Sequence, residues 1–403
     1  MIPSPTAAAP RSLAARHLHF SEAEFESRIE RTRAAMAARG FDAMLLFSQE
    51  SMYWLTGYDT FGYCFFQCLV LRKDGPLNLL TRSADLRQAQ FTSVIDDIRI
   101  WKDAGDANPA EDLRELLEEL GLQGAKFGVE TDTPGLTAFN FRRIAQAFKG
   151  WAALGEASDI VPKLRLVKSP AEIAYVRRAA EITDKAFEAA RPLIADGAGE
   201  ALILAAMQGE VFARDGDYAG NEFIIGSGPG GLLCRYYSGR RQLSEQDQLT
   251  LEWSAAYRHY HAPAMRTVVI GSPRSEHERM HVAAREALLA CEAAIKPGQP
   301  MGDVFETHAT TLDRAGYGHA RLNACGYSVG ARFSPCWMDS FMFYEGATTP
   351  MQPGMTFFLH MILMDSDTGA AMSLGRTSLV TEDGAEPLSG LPLSLDVVRQ
   401  ISE

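Results

Sequence analysis

Glu252 stands between Leu251 and Trp253 in a stretch with the pattern of a central strand, where an ionisable side chain is seldom found without a purpose. A carboxylate there can pair with a planar cation, activate a water or attack an electrophilic carbon. The competing reading is a buried ion pair, with Arg266 as the partner. Cys234 closely follows the run Gly226-Ser227-Gly228-Pro229-Gly230-Gly231 and suits a nucleophile, a proton shuttle or a small buried residue. That run is not a phosphate loop, because it lacks a Lys-Ser/Thr ending and a following helix. His360 lies in the apolar segment Phe357–Ile362, where a lone histidine is commonly a satisfied core residue. His259 and His261 flank Tyr260 and are expected on one face of a strand, but no third ligand accompanies them for zinc.

The elements that must hold these residues fall into two groups. Ser21-Glu22-Ala23-Glu24 opens a helix that Gly40 closes, and the buried strand 41–47 follows. Strands at Cys68–Arg72, Leu77–Leu80 and Lys126–Glu130 then alternate with helices at Glu111–Leu120 and Thr137–Phe148, an α/β pattern. The character changes near residue 160. A long helical region runs from Leu164 to about Ala195, and a second helix covers Gly199–Asp215. Strands dominate Glu222–Ile270, helices occupy Glu276–Ile295 and Met301–Gly316, and Pro353-Gly354-Met355 turns into a strand at Thr356–Met364. The expected organisation is an N-terminal arm over 1–18, an α/β domain over 19–160 and a catalytic domain over 161–403.

A chain of 403 residues with 46% apolar and 22% charged residues has the composition of a soluble protein large enough for two domains. No apolar run reaches the roughly 18 residues of a membrane helix. The net charge of −12 argues against nucleic acid and anionic membranes as partners, and it favours cationic or zwitterionic small molecules. The six cysteines lack CxxC spacing, so neither a disulfide framework nor structural zinc is expected, and the location expected is cytoplasmic.

Three segments carry a resemblance. Leu164–Ile173, Ala293-Ala294-Ile295-Lys296-Pro297-Gly298 with Asp303-Val304, and Gln352-Pro353-Gly354-Met355 resemble, in order and spacing, the creatinase/prolidase/aminopeptidase P family. The resemblance implies an α/β (α+β) protein with a C-terminal pita-bread catalytic domain behind a smaller creatinase-like domain. It also implies a homodimer whose subunits share their sites. Metal-dependent members use two Asp, one His and two Glu as ligands; here those positions read Glu252, Pro263, Tyr327, His360 and Gly375. Neither proline nor glycine offers a side-chain donor, so neither a metal nor any other cofactor is expected.

The departures point to a metal-free branch. Creatinase is one precedent, but its catalytic His falls on Cys234 or Arg235, and its guanidinium-binding carboxylates fall on Met265 and His360. Tyr53–Asp59, Ala324–Gly330, Trp337-Met338-Asp339 and Met342-Phe343-Tyr344 are more similar to the ectoine hydrolases, another metal-free branch. That resemblance implies ring opening of ectoine or 5-hydroxyectoine to an N-acetyl diamino acid, with Glu252, Cys234, Tyr327 and His360 as the catalytic candidates. Tyr63, on a loop that the partner subunit would contribute, joins Arg235, Trp337 and Asp339 as substrate-binding candidates. Arg332 and Arg376 compete with Arg235 for a substrate carboxylate. The alternatives are a creatinase-like or amide hydrolase, a metal-dependent Xaa-Pro peptidase and a non-catalytic module of the same fold.

Overall fold

The computed structural model describes residues 16–399; most of the expected arm over 1–18 lies outside them. The chain divides between Arg165 and Leu166 into two compact units. In the first, the order is α1 (Glu22–Ala38), β1 (Ala43–Leu46), α2 (Gln49–Thr56), β2 (Cys68–Arg72), β3 (Asn78–Arg82), α3 (Leu86–Thr92), β4 (Asp97–Trp101), α4 (Pro109–Glu119), β5 (Lys126–Val129), α5 (Ala138–Ala147) and β6 (Ala153–Glu156). Six strands form one mixed sheet in the order β4-β3-β2-β1-β5-β6. Met44 and Leu46 of β1 join one core cluster, while Ala43 and Leu45 join another. The strand is buried on both faces, which is why its sequence is an unbroken apolar run.

The division falls in α6 (Ile160–Leu166). The second unit continues with α7 (Pro170–Ala190), α8 (Glu200–Ala213), β7 (Ile224–Ser227), β8 (Asp247–Tyr257), β9 (Tyr260–Ile270), α9 (Ser275–Ala294), α10 (Met301–Arg314), β10 (Ala324–Ser328), β11 (Met342–Tyr344), β12 (Thr356–Asp365), β13 (Ala370–Thr381), β14 (Gly384–Pro387) and β15 (Asp396–Val398). A capping box opens α7: Ser169 accepts from the Glu172 amide, and the Glu172 carboxylate accepts from the Ser169 amide. The sheet runs β11-β10-β12-β13-β9-β8-β7, with β14 beside β13 and β15 beside β9.

The β8–β9 hairpin carries the centre of this sheet. Alternation along β8 turns Leu251, Trp253 and Ala255 to one face and Glu252 to the other. The first face is covered by α7: the Trp253 indole donates to the Thr183 carbonyl (2.8 Å) and stacks on Phe187. Arg258 and His259 form the turn, both with positive φ (52° and 64°). His259 is therefore a turn residue stacked on Phe333, not a strand neighbour of His261, which corrects the expected pairing. The ladder between β9 and β13 stops at the Ala264–Arg376 pair, beside Pro263, which has no N–H to extend it.

The helix α9 is tied to the sheet by Glu292, whose two carboxylate oxygens accept from Arg376 of β13 at 2.7 Å each. Both groups are largely buried, at 10% and 12% exposure. Removing one partner of such a pair strands the other charge. Glu292→Ala is expected to cost about 3–5 kcal/mol, read from the urea unfolding midpoint. A loss under about 1 kcal/mol would show that the pair is solvated in practice.

Candidate active site

A cavity of about 570 Å³ opens within the second unit, and its floor is this sheet. Register explains what gathers there. Glu252 of β8 pairs with Met265 of β9, Met265 with Gly375 of β13, and Gly375 with His360 of β12. Tyr327 of β10 pairs with Phe358, two residues before His360. Glu252, Tyr327 and His360 all line the cavity. Arg266 does not reach Glu252: it pairs with Leu251, faces the other side of the sheet and donates to the Met265 and Gly375 carbonyls. The ion-pair alternative for Glu252 is thus removed.

A directed hydrogen-bond chain leads to the carboxylate. The Trp337 indole N–H, which can only donate, reaches Tyr327 Oη at 2.8 Å. The Tyr327 proton is therefore free to point at Glu252 Oε1, 3.5 Å away. Burial pushes the Glu252 carboxyl up to about 7, against the opposing pull of Arg235 and the Tyr327 hydrogen bond. Burial and the Glu252 charge likewise hold the Tyr327 phenol well above its ordinary range, so it stays protonated. His360 is driven down to about 3, chiefly by burial, and is a neutral imidazole whose Nδ1 has no hydrogen-bond partner.

The remaining candidates separate. Arg235 lines the cavity and donates to the Cys234 carbonyl at 2.7 Å. Arg376 is engaged by Glu292, and Arg332 donates to the Cys336 carbonyl outside the cavity lining. Of the three arginines, Arg235 is the one placed to meet a substrate anion. Trp337 lines the cavity as expected.

Cys234 lines it too, but from an irregular segment after a 3-10 turn at Gly228–Leu232 rather than from a strand. Its Sγ lies 3.6 Å from Met364 Sδ, and burial followed by the Glu252 charge raises the thiol. A raised thiol next to a carboxylate is a poor nucleophile at neutral pH, which tells against that role. Asp339 is buried, is not among the residues lining the cavity, and lies 3.9 Å from Arg332. Tyr63 belongs to the first unit, on the short turn Gly62–Cys64.

Asn221, Tyr236, Tyr237, Cys336, Met338 and Met342 also line the cavity and were not anticipated. Tyr236 and Tyr237 directly follow Arg235, and Cys336 and Met338 flank Trp337, so adjacency could have suggested them. Asn221, whose Oδ1 accepts from the Trp337 amide at 3.1 Å, carries no such signal.

Of the five positions that the resemblance assigns to metal ligands, Glu252, Tyr327 and His360 line the cavity and Pro263 and Gly375 do not, and the residues present do not suit a two-metal centre. Pro263 and Gly375 have no side-chain donor, and among the described residues no group of three or more His, Cys, Asp or Glu side chains could hold a metal ion. At Gly375 even a Cβ would lie 2.6 Å from the Leu359 carbonyl and 3.0 Å from the Phe358 ring.

A pita-bread sheet with a carboxylate on its floor, behind a creatinase-like α/β domain, defines the scaffold class of creatinases, prolidases and aminopeptidases P. Residues 174–382 match metallopeptidase family M24, and residues 28–167 match the creatinase/prolidase N-terminal domain. The chain belongs to family M24, a family of hydrolases. It is 27% identical over 401 residues to an ectoine hydrolase of Halomonas elongata, covering 94% of this chain and 98% of that one. It is 24% identical over 267 residues to a Xaa-Pro dipeptidase of Pyrococcus furiosus, covering 64% and 74%. A prolidase of Thermococcus sibiricus superposes with a TM-score of 0.84 at 21% identity, covering 93% and 99%.

The raised Glu252 carboxyl has a sign that can be checked. Below pH 4.5 the group is protonated in both folded and unfolded chains and costs nothing. Between pH 4.5 and about 7 the unfolded chain has given up its proton while the folded one still holds it, so the folded state loses stability across that window and levels off above it. Glu252→Gln removes this slope. The variant is expected to gain on wild type by about 3 kcal/mol between pH 4 and pH 8, read from denaturant titrations. Parallel stability profiles would mean that Glu252 is solvated in the fold.

Proposed function

We propose that the protein hydrolyses a C–N bond in a small zwitterionic cyclic amidine, ectoine or 5-hydroxyectoine, without a metal ion. The observation that carries this reading is the Trp337–Tyr327–Glu252 chain on the floor of a cavity that also bears Arg235. A cation and an anion on one ligand match one carboxylate and one guanidinium on the protein. The size of the cavity suits such a molecule. The similarity to the Halomonas elongata ectoine hydrolase over nearly the whole chain supports the same substrate.

An amidinium entering the cavity draws the Glu252 carboxyl down from about 7, so the carboxylate forms where it is used. Tyr327 holds Oε1 and leaves the other oxygen for the substrate. That oxygen either takes a proton from a water that adds to the amidine carbon or adds to the carbon itself, with water releasing the product later. Both routes pass through a tetrahedral carbon. Collapse breaks one ring C–N bond, the leaving nitrogen gains a proton, and one water is consumed overall. His360, neutral and with an unmet Nδ1, offers a hydrogen bond without adding charge. The expected homodimer, with Tyr63 presented to the partner's site, and the expected cytoplasmic location belong to this proposal. Among the described residues no helix is long and apolar enough to cross a membrane.

NMR of the purified protein with ectoine should show ring opening at the same rate with and without a strong chelator. In Glu252→Gln the rate should fall at least about a hundredfold. Cleavage of Xaa-Pro dipeptides that requires added metal, with no ring opening, would replace this reading by a peptidase. The pH profile supplies a second check: kcat/KM should rise through about pH 7 as Glu252 ionises, and a flat profile there would remove Glu252 as the base. Arg235→Ala should raise KM about tenfold or more with a smaller change in kcat, the mark of a group that holds the substrate anion.

A further inference from the structure

His261 lies near the start of β9, wholly buried, and alternation puts it on the same face as Met265, the partner of Glu252. It does not line the cavity. The Gly220 amide, which can only donate, reaches its Nε2 at 2.9 Å. Nε2 therefore carries the lone pair, and the ring proton sits on Nδ1, 3.4 Å from the Gly330 carbonyl. Burial drives the ring down to about 3, so it is neutral and keeps this acceptor for Gly220.

Gly220 and Asn221 belong to an irregular segment between α8 and β7. One edge of that segment follows the β8–β9 hairpin. The Asp217 amide donates to the Ala256 carbonyl at 2.7 Å, and the Asp217 carboxylate accepts from the His259 amide at 3.0 Å. The other edge meets the backbone of Trp337. A Cβ on Gly220 would lie 2.9 Å from both the Cys336 carbonyl carbon and the Trp337 nitrogen, so backbone packs on backbone and only glycine fits. Asn221 Oδ1 accepts from the Trp337 amide at 3.1 Å, while its Nδ2 donates to the Glu222 carbonyl at 3.0 Å, which fixes the amide's orientation.

The loop that carries Trp337 is thus held at two places. At Arg332 and Phe333 the hairpin turn holds it: the Arg332 amide donates to the His259 carbonyl at 3.0 Å, and Phe333 stacks on the His259 ring. At Trp337 itself the hold passes through Gly220 and Asn221. We propose, on the reading of Glu252 as the base, that His261, Gly220 and Asn221 are positioning residues: His261 fixes Gly220, and Gly220 with Asn221 fixes the Trp337 backbone, so that the indole meets Tyr327 and the phenol proton points at Glu252. Neither His261 nor Gly220 lines the cavity, so both act through Trp337.

Release of the indole would let the Tyr327 hydroxyl turn away from Glu252 Oε1. Glu222, Cys234, Arg235, Tyr327 and His360 share the cavity with Glu252, and of these Arg235 and Tyr327 favour its charged form. Losing the Tyr327 bond therefore moves the ionisation of Glu252 to higher pH.

The test reads Trp337 directly by NMR of the full chain with isotope-labelled tryptophan. Its indole N–H signal is assigned by its absence in Trp337→Phe, and its proton exchange is followed at pH 7. Asn221→Ala and His261→Phe should each move that signal and speed its exchange about tenfold, while the other indole signals stay in place. His261→Gln, whose Oε1 can replace Nε2 as the acceptor, should keep the wild-type signal. With ectoine as substrate, the midpoint of kcat/KM in Asn221→Ala should rise by about one pH unit, with kcat changed more than KM. An unmoved Trp337 signal in Asn221→Ala would overturn the proposal, whether or not His261→Phe folds. So would equal movement of the other indoles, or a His261→Gln variant displaced as far as His261→Phe. The indole signal needs no substrate, so failure of ectoine turnover and failure of this proposal are told apart.

Discussion

The structure turns on keeping one carboxyl group nearly dry without neutralising it. Glu252 is 7% exposed in a strand whose neighbours are all buried, and no Lys or Arg forms an ion pair with it among the described residues. Its support is indirect: a phenol whose direction is set by an indole, and a guanidinium acting through space. The β8–β9 hairpin, the packing of Trp253 against α7 and the placing of Arg266 on the far face all serve this arrangement. A paired carboxylate would have been more comfortable and less reactive. The fold accepts the cost of burial, and under the proposed function that cost leaves a base that a cationic ligand switches on.

The scaffold and the side chains of the site answer different questions in this chain. The whole length follows the architecture of a metallopeptidase family, down to the strands that carry the five ligand positions. The side chains at the positions that the resemblance assigns to metal ligands are Glu252, Pro263, Tyr327, His360 and Gly375. Fold similarity therefore speaks to how the cavity is built, and only the cavity's own residues speak to what it does.

Much of the architecture was legible because it rests on local signals. Ser169 and Glu172 announce α7 through their spacing, and the apolar run at 41–47 announces a strand buried on both faces. Glu252 stood out for the same reason, as a charge in an apolar pattern. What escaped depends on orientation or on distant partners. The Arg258-His259 turn has positive φ at two residues that are neither glycine nor asparagine, so nothing local marked it. Asp339 sits beside Trp337 in the chain yet turns to Arg332, away from the cavity. Three arginines were equivalent as letters, and only Glu292, distant in sequence, reveals that Arg376 is engaged elsewhere. Asn221 reaches the site through a backbone amide of Trp337, a contact that no pattern encodes.

Gly375 limits what its own position can hold. Beside β12, the Phe358 ring and the Leu359 carbonyl fill the room that a side chain at this position would need. An acid placed there would drive its Cβ into backbone, at a distance that side chains do not tolerate. Pro263 adds a second barrier of a different kind, since it stands where the ladder to β13 ends and Thr377 donates to its carbonyl. The packing around one missing side chain thus makes the bare glycine a structural requirement of the β12–β13 pair.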